Sequence, residues 1–137
     1  MKKTLTLLIC LICYQILCHA QVADEHYYFK NLSVQNGLSQ NTVNTILQDK
    51  QGFMWFGTKD GLNRYDGLSF RKFKHDDRSQ RSIGNNFITA LYEDEKGSIW
   101  VGTDVGLYIY YPEKDSFEHF TKQSVENTRI EHTVTAI

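Results

Sequence analysis

One stretch of this 137-residue chain occurs twice, and that repetition limits the fold more than any other feature. Residues 49–65, DKQGFMWFGTKDGLNRY, return in register as residues 94–110, DEKGSIWVGTDVGLYIY, at an offset of 45. Asp49 maps onto Asp94, Gly52 onto Gly97 and Trp55 onto Trp100. Gly57 and Thr58 map onto Gly102 and Thr103, Gly61 and Leu62 onto Gly106 and Leu107, and Tyr65 onto Tyr110. The match reaches back through Asn41 and Asn86. It runs forward to Phe70 and Phe73 against Phe117 and Phe120, where the offset grows by two.

The residue types predict what each copy builds. Asp49-Lys50-Gln51-Gly52 has Asp at the first and Gly at the fourth position, the pattern of a type I turn. β-rich apolar runs flank it at residues 43–47 and 53–57, and two such runs around a tight turn form a hairpin. A second turn at residues 58–61 leads to a third strand at 62–65. Asp66-Gly67 then leads to a fourth at 69–73. The second copy repeats the plan with a longer last turn, residues 111–116, which holds the only proline, Pro112. Each copy reads as a four-stranded antiparallel meander. Units of 40–50 residues built this way are β-propeller blades. The fold class is all-β: a propeller fragment of two blades, repeat 1 at residues 41–82 and repeat 2 at 83–124.

The flanks complete the plan. Residues 1–20 read as a secretory signal peptide: Lys2-Lys3, a short apolar run, and a small residue, Ala20, before the cleavage point. Cys10, Cys13 and Cys18 all fall in it, so the exported chain carries no thiol chemistry. It keeps 13 basic against 16 acidic residues, a net charge of −3 that gives no electrostatic case for nucleic acid. Residues 21–40 hold an N-terminal outer strand and a linker. Phe29 and Leu32 have the spacing of Phe70 and Phe73, so this strand is expected to complete a blade elsewhere and close a ring. Residues 125–137 begin a third repeat, with its first strand at 133–137, and the sequence stops inside it. The chain is therefore expected to be a fragment that is unstable alone. The linkers 33–40 and 74–85 are polar and turn-rich, and the second, KHDDRSQRSIGN, is expected to be exposed.

The doubled D-x-x-G-x-x-W-x-G-T-x-x-G-L frame resembles the two-component regulator propeller repeat, over residues 28–137. The resemblance implies the periplasmic sensor region of a hybrid two-component system, non-catalytic and without a cofactor. Its parent would be anchored in the inner membrane, homodimeric, with further blades and a membrane-spanning histidine kinase, and its ligand an oligosaccharide.

The residues themselves point to structure before chemistry. Trp55 and Trp100 could stack on a sugar, but both recur at one strand position, as packing residues do. Asp49 and Asp94 are turn residues of different blades, not a catalytic pair. The glycines fit turns and close approach, not a phosphate loop, which needs a strand-to-helix context. The frame also resembles the sialidase Asp-box, itself a structural turn, with one extra residue and no serine. His26, His75, His119 and His132 lack metal-ligand spacing. Asn31-Leu32-Ser33 fits the glycosylation pattern but lies in an expected strand. Loops are then the natural binding surface: residues 36–41 and 75–86, Lys59-Asp60 and Asp104-Val105, with Asp76, Asp77 and Arg78 the ligand candidates. A secreted interaction propeller and a carbohydrate-active enzyme remain the alternative classes; an enzyme would need a nonrepeating acid, base or metal constellation.

Overall fold

The computed structural model describes residues 27–120. The signal-peptide and third-repeat expectations lie outside the described residues. The chain divides into two compact units, residues 1–30 and 31–137. Of the first, the described residues are Tyr27, Tyr28, Phe29 and Lys30; the three aromatics are exposed.

The described residues of the second unit open with a 3-10 turn, Val34–Asn36, and continue into eight strands. Repeat 1 supplies β1 (Val43–Gln48), β2 (Met54–Thr58), β3 (Gly61–Tyr65) and β4 (Phe70–Phe73). Repeat 2 supplies β5 (Ile88–Glu93), β6 (Ile99–Thr103), β7 (Leu107–Tyr111) and β8 (Ser116–His119). Each set forms its own antiparallel sheet in sequence order. The first strand pair of each carries a register shift at the same place, between Val43 and Thr45 and between Ile88 and Ala90. The residues expected to form a lone outer strand, 27–32, form no strand.

Side chains alternate across each strand, so each blade presents two faces, and blade 1 packs on both. One face of blade 1 meets the opposite face of blade 2. Trp55, Leu62 and Phe73 pack there against Ile88, Ile99, Val101, Tyr110 and Phe117. Phe73 lies 5.1 Å from the Tyr110 ring and 5.7 Å from Trp55, within the range of favourable aromatic pairs. Gly57 is required at this seam, since a Cβ there would meet Ile88 Cγ2 at 2.6 Å. The other face of blade 1 carries Phe56 and Tyr65, covered by Leu38 with Leu32, Val43, Met54 and Phe70 around them.

The linkers depart from expectation. Residues 74–85 are not exposed throughout: Ile83 is fully buried in the core between the blades. Leu38, 45 residues earlier, is buried in the same manner on the other face of blade 1. A polar linker must still be pinned as it crosses from one blade to the next, and one apolar residue per crossing does it.

Candidate functional site

The frame residues hold turns. Asp49 Oδ1 accepts from the backbone N–H groups of Gln51 (3.0 Å) and Phe53 (2.9 Å), and Oδ2 accepts from Trp55 Nε1 (2.7 Å). Asp94 does the same for Lys96, Ser98 and Trp100, at 2.9, 2.9 and 3.1 Å. Burial opposes ionisation of Asp94, but the donors from Trp100, Ser98 and Lys96 outweigh it and hold its carboxyl below the ordinary range. Each aspartate thus ties the first hairpin to the indole two positions into the next strand. The Gly-Thr-x-x-Gly part has its own logic. Thr58 Oγ1 donates to the Gly61 carbonyl and accepts from Asp60 N–H; Thr103 repeats this with Gly106 and Val105. These aspartate–indole and threonine–glycine bonds each join residues of one blade.

The loop candidates share one end of the blades. The antiparallel registers put residues 41–42, 59–60, 74–87 and 104–105 at that end, with the Asp49 and Asp94 turns at the other. Lys74 pairs with Asp60 at 2.7 Å, Gly61 N–H donates to the Asn86 carbonyl, and His75 N–H donates to Asn86 Oδ1. The linker therefore lies across the mouth of the β2–β3 turn.

The three residues expected to meet a ligand stand on the crest of this linker. Arg78 donates to Asp76 through Nε (3.0 Å), Nη2 (3.2 Å) and backbone N–H (3.0 Å). These donors lower the Asp76 pKa, and Asp76 raises that of Arg78. Asp77 meets His75 Nε2 at 2.7 Å while His75 Nδ1 meets the Ile83 carbonyl at 2.9 Å. Both partners are acceptors, so the pair of contacts suits the doubly protonated ring, and the Ile83 carbonyl and Asp77 raise the His75 pKa. The Asp77 and Arg78 side chains are 94% and 89% exposed. The crest is thus solvated and tied to itself. Sequence reasoning placed it on the surface and missed the buried Ile83 beneath it. The only signal for Ile83 was its 45-residue match to Leu38. Among the described residues, no group of three His, Cys, Asp or Glu is placed to hold a metal ion.

Two four-stranded meanders, joined by a pinned linker and packed face to face, are blades of a β-propeller. Residues 37–60 and 82–105 match the family described as the two component regulator propeller. Its fold is similar to the extracellular domain of BT3049 from B. thetaiotaomicron, described as a hybrid two component system. The identity is 36% and the TM-score 0.68, over 80% of this chain and 16% of that one. The extracellular domain of BT4673 from the same organism shares the fold at a TM-score of 0.57 and 23% identity, over 69% of this chain and 14% of that one. Histidine kinase P4 of Formosa agariphila is 40% identical over 60 residues, 44% of this chain. The chain spans 4% of that relative's length.

Proposed function

We propose that this chain is part of an exported, non-catalytic sensor propeller whose parent is a hybrid two-component histidine kinase. The observation that carries this reading is the 36% identity to the BT3049 extracellular domain across four-fifths of the chain. The match to a histidine kinase supports the kinase half of it. In this reading the first twenty residues direct export to the periplasm, the parent is anchored in the inner membrane as a homodimer, and a saccharide reaches the propeller from outside. The frame residues supply rigidity, and variation for recognition falls to the loops at the linker end. Asp76, Asp77 and Arg78 could exchange their mutual contacts for sugar hydroxyls, since all three stand near water.

Calorimetric titration of the complete ectodomain with oligosaccharides from complex glycans tests the reading. Saturable binding, with kinase autophosphorylation in the full receptor responding to the same sugar, is the expected result. Alanine at Asp76, Asp77 and Arg78 should weaken that affinity; unchanged affinity removes the loop from the site. Failure of every saccharide to bind would discard the sugar assignment.

A further inference from the structure

The linker between the blades closes on one imidazole. His75 Nε2 lies 2.7 Å from Asp77 Oδ1, and Nδ1 lies 2.9 Å from the carbonyl of Ile83, the buried residue that anchors the linker. The His75 backbone N–H donates to Asn86 Oδ1 at 2.8 Å. One residue at the start of the linker thus reaches its crest, its anchor and its far end. The rest of the loop has ties of its own. Ser82 Oγ accepts from Asp76 N–H (3.1 Å) and lies 3.0 and 2.9 Å from the Asp76 and Ser79 carbonyls. Phe117 N–H donates to the Arg81 carbonyl at 2.9 Å. Those bonds hold the base of the crest, and the ring alone holds the Asp77 carboxylate.

Both oxygens facing the ring only accept, and a neutral imidazole has one donor and one bare lone pair. Whichever nitrogen keeps its hydrogen, the other then aims a lone pair at an oxygen. The two contacts are unequal. The Ile83 carbonyl is half buried, where an unpaired acceptor is costly, whereas the Asp77 side chain is 94% exposed and water can take over its oxygen. The neutral ring therefore keeps Nδ1–H on Ile83 and gives up Asp77. Most charges on the linker and the elements packed against it are paired among themselves. Arg78 meets Asp76, Lys74 meets Asp60 of the β2–β3 turn, Arg71 of β4 meets Asp115, and Glu118 of β8 meets Lys114. Lys59, Lys72, Arg81 and His119 are the remaining titratable groups there. Among all these charges Asp77 and Asp76 act most strongly on the ring, and both favour its protonated form.

We infer that His75 is a pH-sensitive clasp on the linker: the protonated ring holds Asp77 to the anchored segment, and the neutral ring releases it to solvent. The crest then loses one positive charge and gains a free carboxylate, so a ligand or partner meets a different surface on each side of the transition. The direction follows from the contacts. The Ile83 carbonyl first, and Asp77 second, raise the His75 pKa above its ordinary value of 6.5. The clasp is therefore fully closed below that ordinary value and opens as pH rises through the raised one.

Nuclear magnetic resonance of the complete ectodomain, isotope-labelled at its histidine ring nitrogens, follows the clasp through a pH titration; a His75→Gln variant picks out the ring. The signals should show a midpoint above 6.5, with the hydrogen on Nδ1 in the neutral form, the less common tautomer of a free imidazole. A midpoint at or below 6.5, or a neutral ring with its hydrogen on Nε2, overturns the inference. Asp77→Asn supplies a second arm. An asparagine donates to a bare Nε2 and accepts from a protonated one, so this variant stays clasped in both states. Tryptic cutting after Arg78 reads the crest, and the ratio of wild type to Asp77→Asn at each pH cancels the protease's own pH dependence. That ratio should rise as the wild type passes its midpoint. A flat ratio would show that Asp77 is not released, and it too overturns the inference.

Discussion

Two facing positions show how each copy solves the same packing problem differently. In repeat 1, Asn63 is fully buried, accepts from Ser39 N–H (2.9 Å) and donates to Ser39 Oγ (2.8 Å) and to the Phe56 carbonyl (3.2 Å). A buried amide is tolerated because its donors and acceptor are all used. In repeat 2, Ser39 becomes Gly84 and Asn63 becomes Tyr108. A Cβ on Gly84 would collide with the Tyr108 hydroxyl, so the small residue makes room for the large one. Polar pairing is replaced by filling, with Tyr108 stacked on His119 at 4.7 Å. This exchange was not legible in the sequence, because both positions differ between copies and so fall outside the matched frame. The aspartate–indole ties were half legible: Asp49 and Trp55 stood out, but six residues of separation does not reveal a side-chain hydrogen bond. Gly84→Ser in the ectodomain should cost about 1–3 kcal/mol through overpacking. Adding Tyr108→Asn should restore most of it by recreating the repeat 1 pair. Thermal unfolding of both singles and the double closes the cycle, and strictly additive losses would refute the coupling.

Elements were legible where the pattern was periodic and obscure where it was not. The strand-forming runs of both copies stand within a residue or two of the observed ladders, because hairpin turns and alternating burial leave a mark on every second residue. The linker leaves no such mark. A lone isoleucine among twelve residues rich in charge and turn formers looks incidental, yet it is the buried member of the element. The linker therefore divides into a solvated crest and an anchor, and their energies differ. The Asp76–Arg78 pair is an exposed ion pair, a kind that contributes about 0–1 kcal/mol. The Arg71–Asp115 pair, which joins β4 to the β7–β8 turn at 2.6 Å, is half exposed and of the same order. Ile83→Ala should instead cost about 2–5 kcal/mol, the range for deleting a buried branched side chain. Denaturation of the ectodomain carrying Ile83→Ala, beside one carrying the three crest alanines, measures the contrast. Equal losses would show that the crest holds the linker as firmly as the anchor does.

At the scale of the whole chain, the two blades are the same unit seen with different neighbours. Trp55 is 1% exposed because blade 2 lies against it, with the Tyr110 ring at 5.5 Å. Its repeat equivalent Trp100 is only half buried, packed on Phe120 at 5.1 Å. Tyr92, the equivalent of the core-packed Leu47, is 47% exposed on the same face. The strand position, the aspartate tie and the indole are shared, so the difference in burial measures what a neighbouring blade contributes. Stacked repeats derive their stability from such interfaces, and each interface adds its own share. In the 137-residue chain, Trp55→Ala should therefore cost about 3–5 kcal/mol, the range for truncating a buried indole, and Trp100→Ala distinctly less. In the complete ectodomain the two losses should converge, because a third blade would cover Trp100 as blade 2 covers Trp55. Near-UV circular dichroism during denaturation of both proteins follows the packing of these indoles. Losses at Trp100 that stay small in the ectodomain would mean that its face is not buried by a following blade. The propeller would then not continue from repeat 2 as it continues from repeat 1.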